Sequence, residues 1–587
     1  MDRTRAIFIA IVGLALLLVC GIGFFSVASN LFNGTNSTDT PASSFTDPDN
    51  VPSGTVLLPI ASSNTKRDWL DQVVESFNAA ENKTAAGNVI KAEVQHVTSG
   101  GSMNAILDGE LKPVVWSPGD QSWVAQANAQ WKQRTNQPLI SQECPATIYA
   151  PLGFAMWRPM AEAMGWPDKP IGWDTIVDLA SNPKGWEAYG HPEWGQFRFG
   201  HTHPGYANSG LLSMTAFVYG VAGKTEGLTA ADVYSPKVEE AMRKLEQVTA
   251  KYGSQAPALL ELMTVQGPSY LHAAAVPEAN VLQYNIQRGD ELRFPLVFIF
   301  PAGGTIWADH PYCILDNADW VTDEQQEAAA VFRDYLLSED QQKLAIDNFL
   351  RPLDPNIPLH APLDLATGTD PRVTTEQIPA LPSPSAEVSE AVVDLFLTTK
   401  RKATVIVVLD VSGSMEGEKI RTATQSTADF LKRLYPDDKV ALIAFNNEVK
   451  ILSQPDEVRN VVEDLSNRVI TLIADGGTSL HGAVCQATQL AAQMKEEDQA
   501  AGENRLYGIV LLSDGMDTEG TPSEGKMFAT CLPSQAEADG VKIFPIAFGE
   551  DADTDVLQRI ANVTGGRLFK ATPGTIDKIY LRISAEQ

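Results

Sequence analysis

Three short segments combine oxygen-bearing side chains with glycine directly after apolar runs. VIVVLDVSGSM (405–415) places Asp410, Ser412 and Ser414 at the end of a strand-like stretch, and LYGIVLLSDG (506–515) ends in Ser513, Asp514 and Gly515. Between them, Asp475-Gly476-Gly477-Thr478-Ser479 leads into a helical pattern. Asp410, Ser412, Ser414, Thr478 and Asp514 supply two carboxylates and three hydroxyls, with no His or Cys among them. That hard-oxygen set suits Mg²⁺, with Ca²⁺ or Mn²⁺ as alternatives. Other chemistries fit less well. A phosphate-cradling loop needs G-x-x-x-x-G-K-[ST], and no lysine holds that place. A serine nucleophile wants G-x-S-x-G, whereas Ser412 sits in D-V-S-G-S. His481 is the nearby candidate base, and a single His beside a glycine turn reads more simply as a surface residue. Helix capping by Ser and Asp explains one such loop, but three loops with matching donors less readily.

The elements that must bring these loops together are legible around them. TVIVVLDV (404–411) is almost wholly apolar, as expected for a strand covered on both faces. A helical pattern follows over 419–434, then a strand at 440–447, a helix beginning near Ser479, and strands at 506–514 and 541–549. Strands alternating with helices predict a doubly wound parallel α/β sheet, whose ligands bind beyond the strands' carboxyl ends. All three loops then lie at one edge.

The first half of the chain repeats a related pattern. TVLLPIASS (55–63) reads as a strand ending in hydroxyls, followed by a helix over 68–80. VIKAEVQHVTSGGSMNAIL (89–107) passes from alternation through Ser99-Gly100-Gly101-Ser102 into a helix, and PVVWSPGD (113–120) ends a third strand at Ser117. Hydroxyls and glycines at helix N-termini can receive anions or polar solutes, or they can simply cap. His201 and His203 form an H-x-H without an evident third ligand, which predicts surface-loop histidines rather than a metal site.

Length, charge and cysteines set the frame. At 587 residues the chain exceeds one hydrophobic core. A formal net charge of −29 repels phosphate backbones and argues against nucleic-acid partners. An uncharged stretch from Ala6 to Ala28 follows Arg3 and Arg5. As a helix it would rise about 34 Å, enough for a single membrane span with the bulk of the chain outside. A cleavable signal peptide ending near Ser26-Val27-Ala28 is the competing reading, and a lipoprotein site at Cys20 fits poorly after Val19. The expected organisation is an anchor (1–28), a flexible stalk (29–54), a first domain (55–354), a Pro-rich linker (355–389) and a C-terminal domain (390–587). The extracytoplasmic cysteines allow bridges Cys144–Cys313 and Cys485–Cys531, although four buried thiols would look the same in sequence.

D-x-S-x-S after an apolar strand, G-G-T-S before a helix and L-S-D-G after a later strand closely resemble the von Willebrand factor type A domain. The resemblance implies a metal-ion-dependent adhesion site in which Ser412 and Ser414 ligate directly, Thr478 directly or through water, and Asp410 and Asp514 mainly through water. One position would be left for an acidic residue of a protein partner. The chain from 55 to 354 resembles bacterial extracellular solute-binding proteins, two-lobed receptors that close on a ligand. The supporting stretches are the strand–SSN–helix opening, SGGS, VVWSPGD, LLSMTAF (211–217) and FPAGGTIWADHPYCIL (300–315), followed by an apparent helix over 329–352. By position, Ser62, Ser63, Ser99, Ser102, Ser117, Asn208, Ser209 and Tyr284 would border its cleft. The expected protein is therefore a membrane-anchored extracellular binding protein rather than an enzyme. The alternative is a receptor delivering solute to a membrane permease of ABC type, with the type A domain as docking module. A metal-assisted hydrolase using Asp410, Asp514 and a bound water is a more distant third.

Overall fold

The computed structural model describes residues 45–46, 51–373, 378–514, 516–532, 540–549, 552, 554–576, 579–580 and 583. The expected anchor and most of the stalk lie outside the described residues. Among the described residues, no helix is long and apolar enough to cross a membrane.

The first lobe follows the strand–helix alternation of its sequence. It comprises β1 (Thr55–Ser62), α1 (Arg67–Ala79), β2 (Val89–His96), α2 (Ser99–Leu107), β3 (Val115–Ser117) and α3 (Gln121–Thr135). β1 pairs in parallel with β2 and β3, so Ser62 and Ser117 meet in register at one sheet edge. The chain then crosses to a second lobe. Its principal elements are β4 (Ala150–Trp157), β5 (Phe199–Thr202), α4 (Asn208–Ala222), α5 (Pro236–Val248), β6 (Thr249–Gly253), β7 (Ala273–Pro277), α6 (Glu278–Arg288) and β8 (Leu296–Ile299). β9 (Trp307–Ala308) pairs antiparallel with β4, and β10 (Cys313–Ile314) returns to the first lobe, antiparallel to β3. A Cys144–Cys313 disulfide joins the outgoing and returning segments. The helix expected over 329–352 is two helices, α7 (Asp323–Leu336) and α8 (Glu339–Asp347). Ser338 separates them in extended conformation at an N-cap, with Glu339 and Asp340 in the next first turn, a sequence that starts a helix rather than continuing one.

Residues 355–373 and 378–389 run along this two-lobed module. Phe298 N–H donates to Gly368 O at 2.7 Å, Leu381 N–H to Thr305 O at 2.9 Å, and Ser383 Oγ to Asp120 Oδ2 at 2.8 Å. Leu363 and Leu381 are buried, which accounts for apolar residues in an otherwise polar segment. The segment ends in α9 (Ala386–Thr399), capped by Ser385 Oγ accepting from Val388 N–H. Val388, Ala391, Val392 and Leu395 form its apolar stripe and enter the core shared by both lobes.

The C-terminal domain has β11 (Ala403–Asp410), α10 (Glu418–Leu431), β12 (Lys439–Phe445), β13 (Val449–Glu457), α11 (Val458–Val469), α12 (Leu480–Ala500), β14 (Leu506–Ser513), β15 (Lys542–Phe548), α13 (Thr554–Thr564) and β16 (Phe569–Ala571). The sheet order is β13-β12-β11-β14-β15-β16, parallel except for the edge strand β13. Period-two alternation sends Val405, Val407 and Leu409 into one core with α10 and α11, and Ile406 and Val408 into the other with α12 and α13. Burying each such side chain contributes about 1.5–3 kcal/mol, so an apolar central strand is the direct consequence of helices on both faces. A second disulfide, Cys485–Cys531, lies in this domain.

The two histidines expected in a surface loop are buried instead. His201 lies in β5 with Nε2 3.2 Å from Glu246, and His203 Nε2 lies 3.1 Å from Tyr435 Oη of the C-terminal domain. Phe396 of α9 packs edge-on against both rings. His201 faces inward because β5 is covered on both faces. His203 follows the strand directly into the interdomain contact.

Candidate metal and solute sites

Asp410 is the last residue of the central strand and is fully buried. Its Oδ1 accepts from Ser412 N–H at 2.9 Å and its Oδ2 from Ser513 Oγ at 2.6 Å. Burial raises the Asp410 carboxyl above its ordinary value, the hydrogen bonds from Ser412 and Ser513 oppose that, and Asp514 adds to it. Ser412 Oγ lies 3.0 Å from Ser414 Oγ, and Ser414 Oγ donates to Asp514 Oδ1 at 2.7 Å. The loop carrying Thr478 is held against them by backbone bonds, Gly413 N–H to Gly476 O at 3.0 Å and Asp475 N–H to Val411 O at 2.9 Å. Thr478 is buried, with its N–H donating to Thr518 Oγ1. The structure thus gathers Asp410, Ser412, Ser414 and Asp514 into one hydrogen-bonded cup and ties the loop that carries Thr478 to it through Asp475 and Gly476.

These donors fit a hard divalent cation. The hydroxyls of Ser412 and Ser414 converge, and both carboxylates stand beside them. Among the described residues no group of three or more His, Cys, Asp or Glu is placed to hold a metal ion. A cation held here would therefore rest on neutral hydroxyls with two carboxylates, which leaves it electrophilic toward an incoming anion. Two contributors were not anticipated from sequence. Ser513 completes Asp410, and Lys419, in the first turn of α10, places Nζ 2.5 Å from Asp514 Oδ2. His481, expected at the surface, is buried. Its N–H donates to Asp517, and its Nδ1 lies 3.1 Å from Pro522 O, because the loop after β14 folds over the start of α12.

In the two-lobed module the lobes touch directly. Trp123 Nε1 donates to Asn208 Oδ1 at 2.8 Å, and Asn64 Nδ2 donates to Gln255 Oε1 at 3.2 Å. Gly119 permits that approach, since a Cβ there would lie 2.5 Å from Asn208 Nδ2. Most of the expected cleft side chains are engaged within the protein. Ser62 Oγ donates to Ser63 O, Ser99 Oγ accepts from Gly119 N–H, Ser102 Oγ accepts from Trp116 Nε1, and Ser117 Oγ donates to Pro311 O. Ser209 Oγ lies 2.7 Å from Thr202 Oγ1. Tyr284 stands apart on α6, donating to Pro257 O.

Sequence reasoning missed the charged groups here. Buried Lys66 donates to Ser63 Oγ at 3.0 Å and Ser117 O at 2.8 Å, and its Nζ lies 3.2 Å from His310 Nδ1. Burial holds Lys66 well below the usual lysine range, and burial followed by the Lys66 charge lowers His310. Among the described residues, His310 Nε2 is buried without a hydrogen-bond partner. Asp309 is pushed up to about 7, first by burial and then by Asp120. The only sequence signal was S-x-x-K at Ser63–Lys66. Its meaning depends on His310, 247 positions after Ser63.

Comparison with known proteins agrees with this division. The family model described as "Bacterial extracellular solute-binding protein" matches residues 58–351, and that of the "von Willebrand factor type A domain" matches residues 404–580. Curated relatives include an uncharacterized Synechocystis protein, 31% identical over 163 residues, covering 27% of this chain and 36% of that protein. The inter-alpha-trypsin inhibitor heavy chain H4 of Bos taurus is 32% identical over 168 residues, covering 28% and 18%. The chain thus spans about a third or less of the length of these relatives. Similar solved structures include the periplasmic binding protein P5PA, with a TM-score of 0.40, 14% identity and coverage of 59% of this chain and 99% of that one. A von Willebrand factor type A protein from Catenulispora acidiphila has a TM-score of 0.28, 19% identity and coverage of 32% and 42%.

Proposed function

Because the chain belongs to the bacterial extracellular solute-binding protein family and carries a von Willebrand factor type A domain at its C-terminal end, we propose that it is an extracytoplasmic binding protein with two recognition modules. The C-terminal cup holds a divalent cation, Mg²⁺ foremost, through Ser412, Ser414 and Thr478, with Asp410 and Asp514 behind them. The cation supplies an electrophilic point that takes the carboxylate of a protein partner. The chain's own residues orient the hydroxyls, neutralise charge and keep the loops in register. The two-lobed module takes a small polar solute between its lobes, and the apolar stretch at 6–28 anchors the protein to the membrane. Binding, not catalysis, is the activity.

The observation that carries this reading is the chain of contacts Ser412 Oγ–Ser414 Oγ–Asp514 Oδ1, at 3.0 and 2.7 Å. Calorimetric titration of the protein with Mg²⁺ tests it. Saturable binding that weakens by about tenfold or more in Ser412→Ala supports the cup. Equal affinity in wild type and Ser412→Ala removes it. A second reading, a solute receptor that serves a membrane permease, is favoured by the polar contacts between the lobes, Trp123–Asn208 and Asn64–Gln255, which a hinged receptor would break on opening.

A further inference from the structure

Asp514 is the cup carboxylate with a cation already on it. Its side chain is fully buried, Oδ1 accepts from Ser414 Oγ, and Oδ2 takes Lys419 Nζ at 2.5 Å. Lys419 is not a stray surface amine. It leaves the first turn of α10, its side chain is 30% exposed, and it runs beside Gly549 at the end of β15. Gly549 has φ +99°, and a Cβ there would lie 3.3 Å from Lys419 Cε and 3.5 Å from Nζ. Gly549 therefore leaves room along the route by which the ammonium reaches Asp514. Across the cup, Asp410 is held by Ser412 and Ser513, and among the described residues no ammonium is hydrogen-bonded to it.

We propose that Lys419 is a built-in counter-cation of the cup: it positions Asp514, stabilises the cup when no divalent ion is bound, and weakens divalent-ion binding by sharing that carboxylate. The inference rests on the reading of the cup as a cation site. The electrostatics are direct. Asp410 and Asp514 bring two negative charges, and Lys419 returns one positive charge at hydrogen-bond distance from one of them. A divalent ion entering beside Ser412 and Ser414 meets a net charge of −1 rather than −2, and it is repelled by an ammonium a few ångströms away. At the effective dielectric of a partly buried site such a repulsion amounts to about tenfold or more in affinity. The same ammonium spares Asp514 the cost of standing unpaired and buried beside Asp410.

The test is Mg²⁺ titration by calorimetry on the full chain, with thermal unfolding in chelator and in excess Mg²⁺, for wild type, Lys419→Met, Lys419→Gln and Lys419→Arg. Lys419→Met is expected to bind Mg²⁺ about tenfold tighter than wild type, to unfold earlier in chelator, and to gain more from Mg²⁺. Lys419→Gln, which keeps a hydrogen bond to Asp514 without the charge, moves the same way and provides the affinity readout should Lys419→Met not fold. Lys419→Arg stays near wild type. A lysine that merely packs would not raise metal affinity when removed. Neutral variants that bind Mg²⁺ as well as wild type or more weakly overturn the proposal while the cup reading stands. Absence of Mg²⁺ binding in wild type and neutral variants alike overturns both.

Discussion

Ser383 Oγ donates to Asp120 Oδ2 at 2.8 Å, which pins the segment before α9 to the N-terminus of α3 in the first lobe. From there α9 packs against α3 and also against α4 and α5 of the second lobe. Tyr234 Oη adds a hydrogen bond to Asp394. The helix that leads into the C-terminal domain thus straddles both lobes.

Phe396 is the residue that fixes the far end of that helix. It is fully buried against His201, His203 and Tyr252. Phe396→Ala is expected to cost about 3–4 kcal/mol through the cavity it leaves. It should also raise amide exchange in both 121–135 and 208–222, measured by hydrogen exchange with mass spectrometry. A rise confined to 386–399 would show that the helix rides on the lobes without holding them.

Asp309 gives the two-lobed module a specific pH dependence. In the unfolded chain its carboxyl ionises near 3.8, and in the folded protein burial and then Asp120 push it up to about 7. Between those values the folded state keeps a proton that the unfolded state has lost. The associated stability is greatest below about pH 4, falls as pH rises, and is gone above about 7; it amounts to at most about 4 kcal/mol. Asp309→Asn removes that slope and should unfold later than wild type at pH 8. Denaturant melts at pH 5 and pH 8 decide it, and parallel pH profiles for the two proteins would contradict the assignment.

The cup separates ligand loss from fold loss residue by residue. Ser414 is exposed and Asp410 is buried with two donors on it. Ser414→Ala should weaken Mg²⁺ binding about tenfold or more with a melting temperature close to wild type. Asp410→Ala should weaken binding and also cost about 2–4 kcal/mol, because Ser412 N–H and Ser513 Oγ lose their acceptor in a dry site. Paired titrations and melts of the two variants check this, and equal destabilisation by both would put Ser414 in the fold rather than in the site.

The cup was legible because its geometry is local. Each donor ends a strand, follows one by one to four residues, or just precedes a helix, and a parallel sheet brings such loops to one edge whatever the helices between them contain. Lys419 was not legible, since Asp514 lies 95 positions away and a lysine in the first turn of an amphipathic helix ordinarily faces water. The cleft candidates follow by position from the resemblance to solute-binding proteins, and six of the eight are serines. Most of those hydroxyls bond inward, and the titratable groups Lys66, Asp120, Asp309 and His310, whose ionisation burial opposes, set the electrostatics instead. His201 and His203 were misplaced for a related reason. An H-x-H followed by Pro204 and Gly205 resembles a loop until the covering helix, nearly two hundred residues later, is known.

The disulfides should divide by module. Cys144–Cys313 closes a loop with a sequence separation of 169 and links the outgoing and returning segments between the lobes, whereas Cys485–Cys531 spans 46. Loop entropy assigns about 5 kcal/mol to the first and about 4 kcal/mol to the second, with measured effects commonly about 2–4 kcal/mol. The double variant Cys144→Ser with Cys313→Ser should therefore unfold its two-lobed module at lower denaturant by about 2–4 kcal/mol, with exchange rising first around 140–150 and 305–315. The Mg²⁺ affinity of the cup should be unchanged, because Asp410, Ser412 and Asp514 share no element with either cysteine. Denaturant unfolding followed separately by exchange in each module reads this directly. Equal destabilisation of residues 403–571 would mean that the interdomain contact at His203 and Tyr435 transmits the loss, making the two modules one cooperative unit.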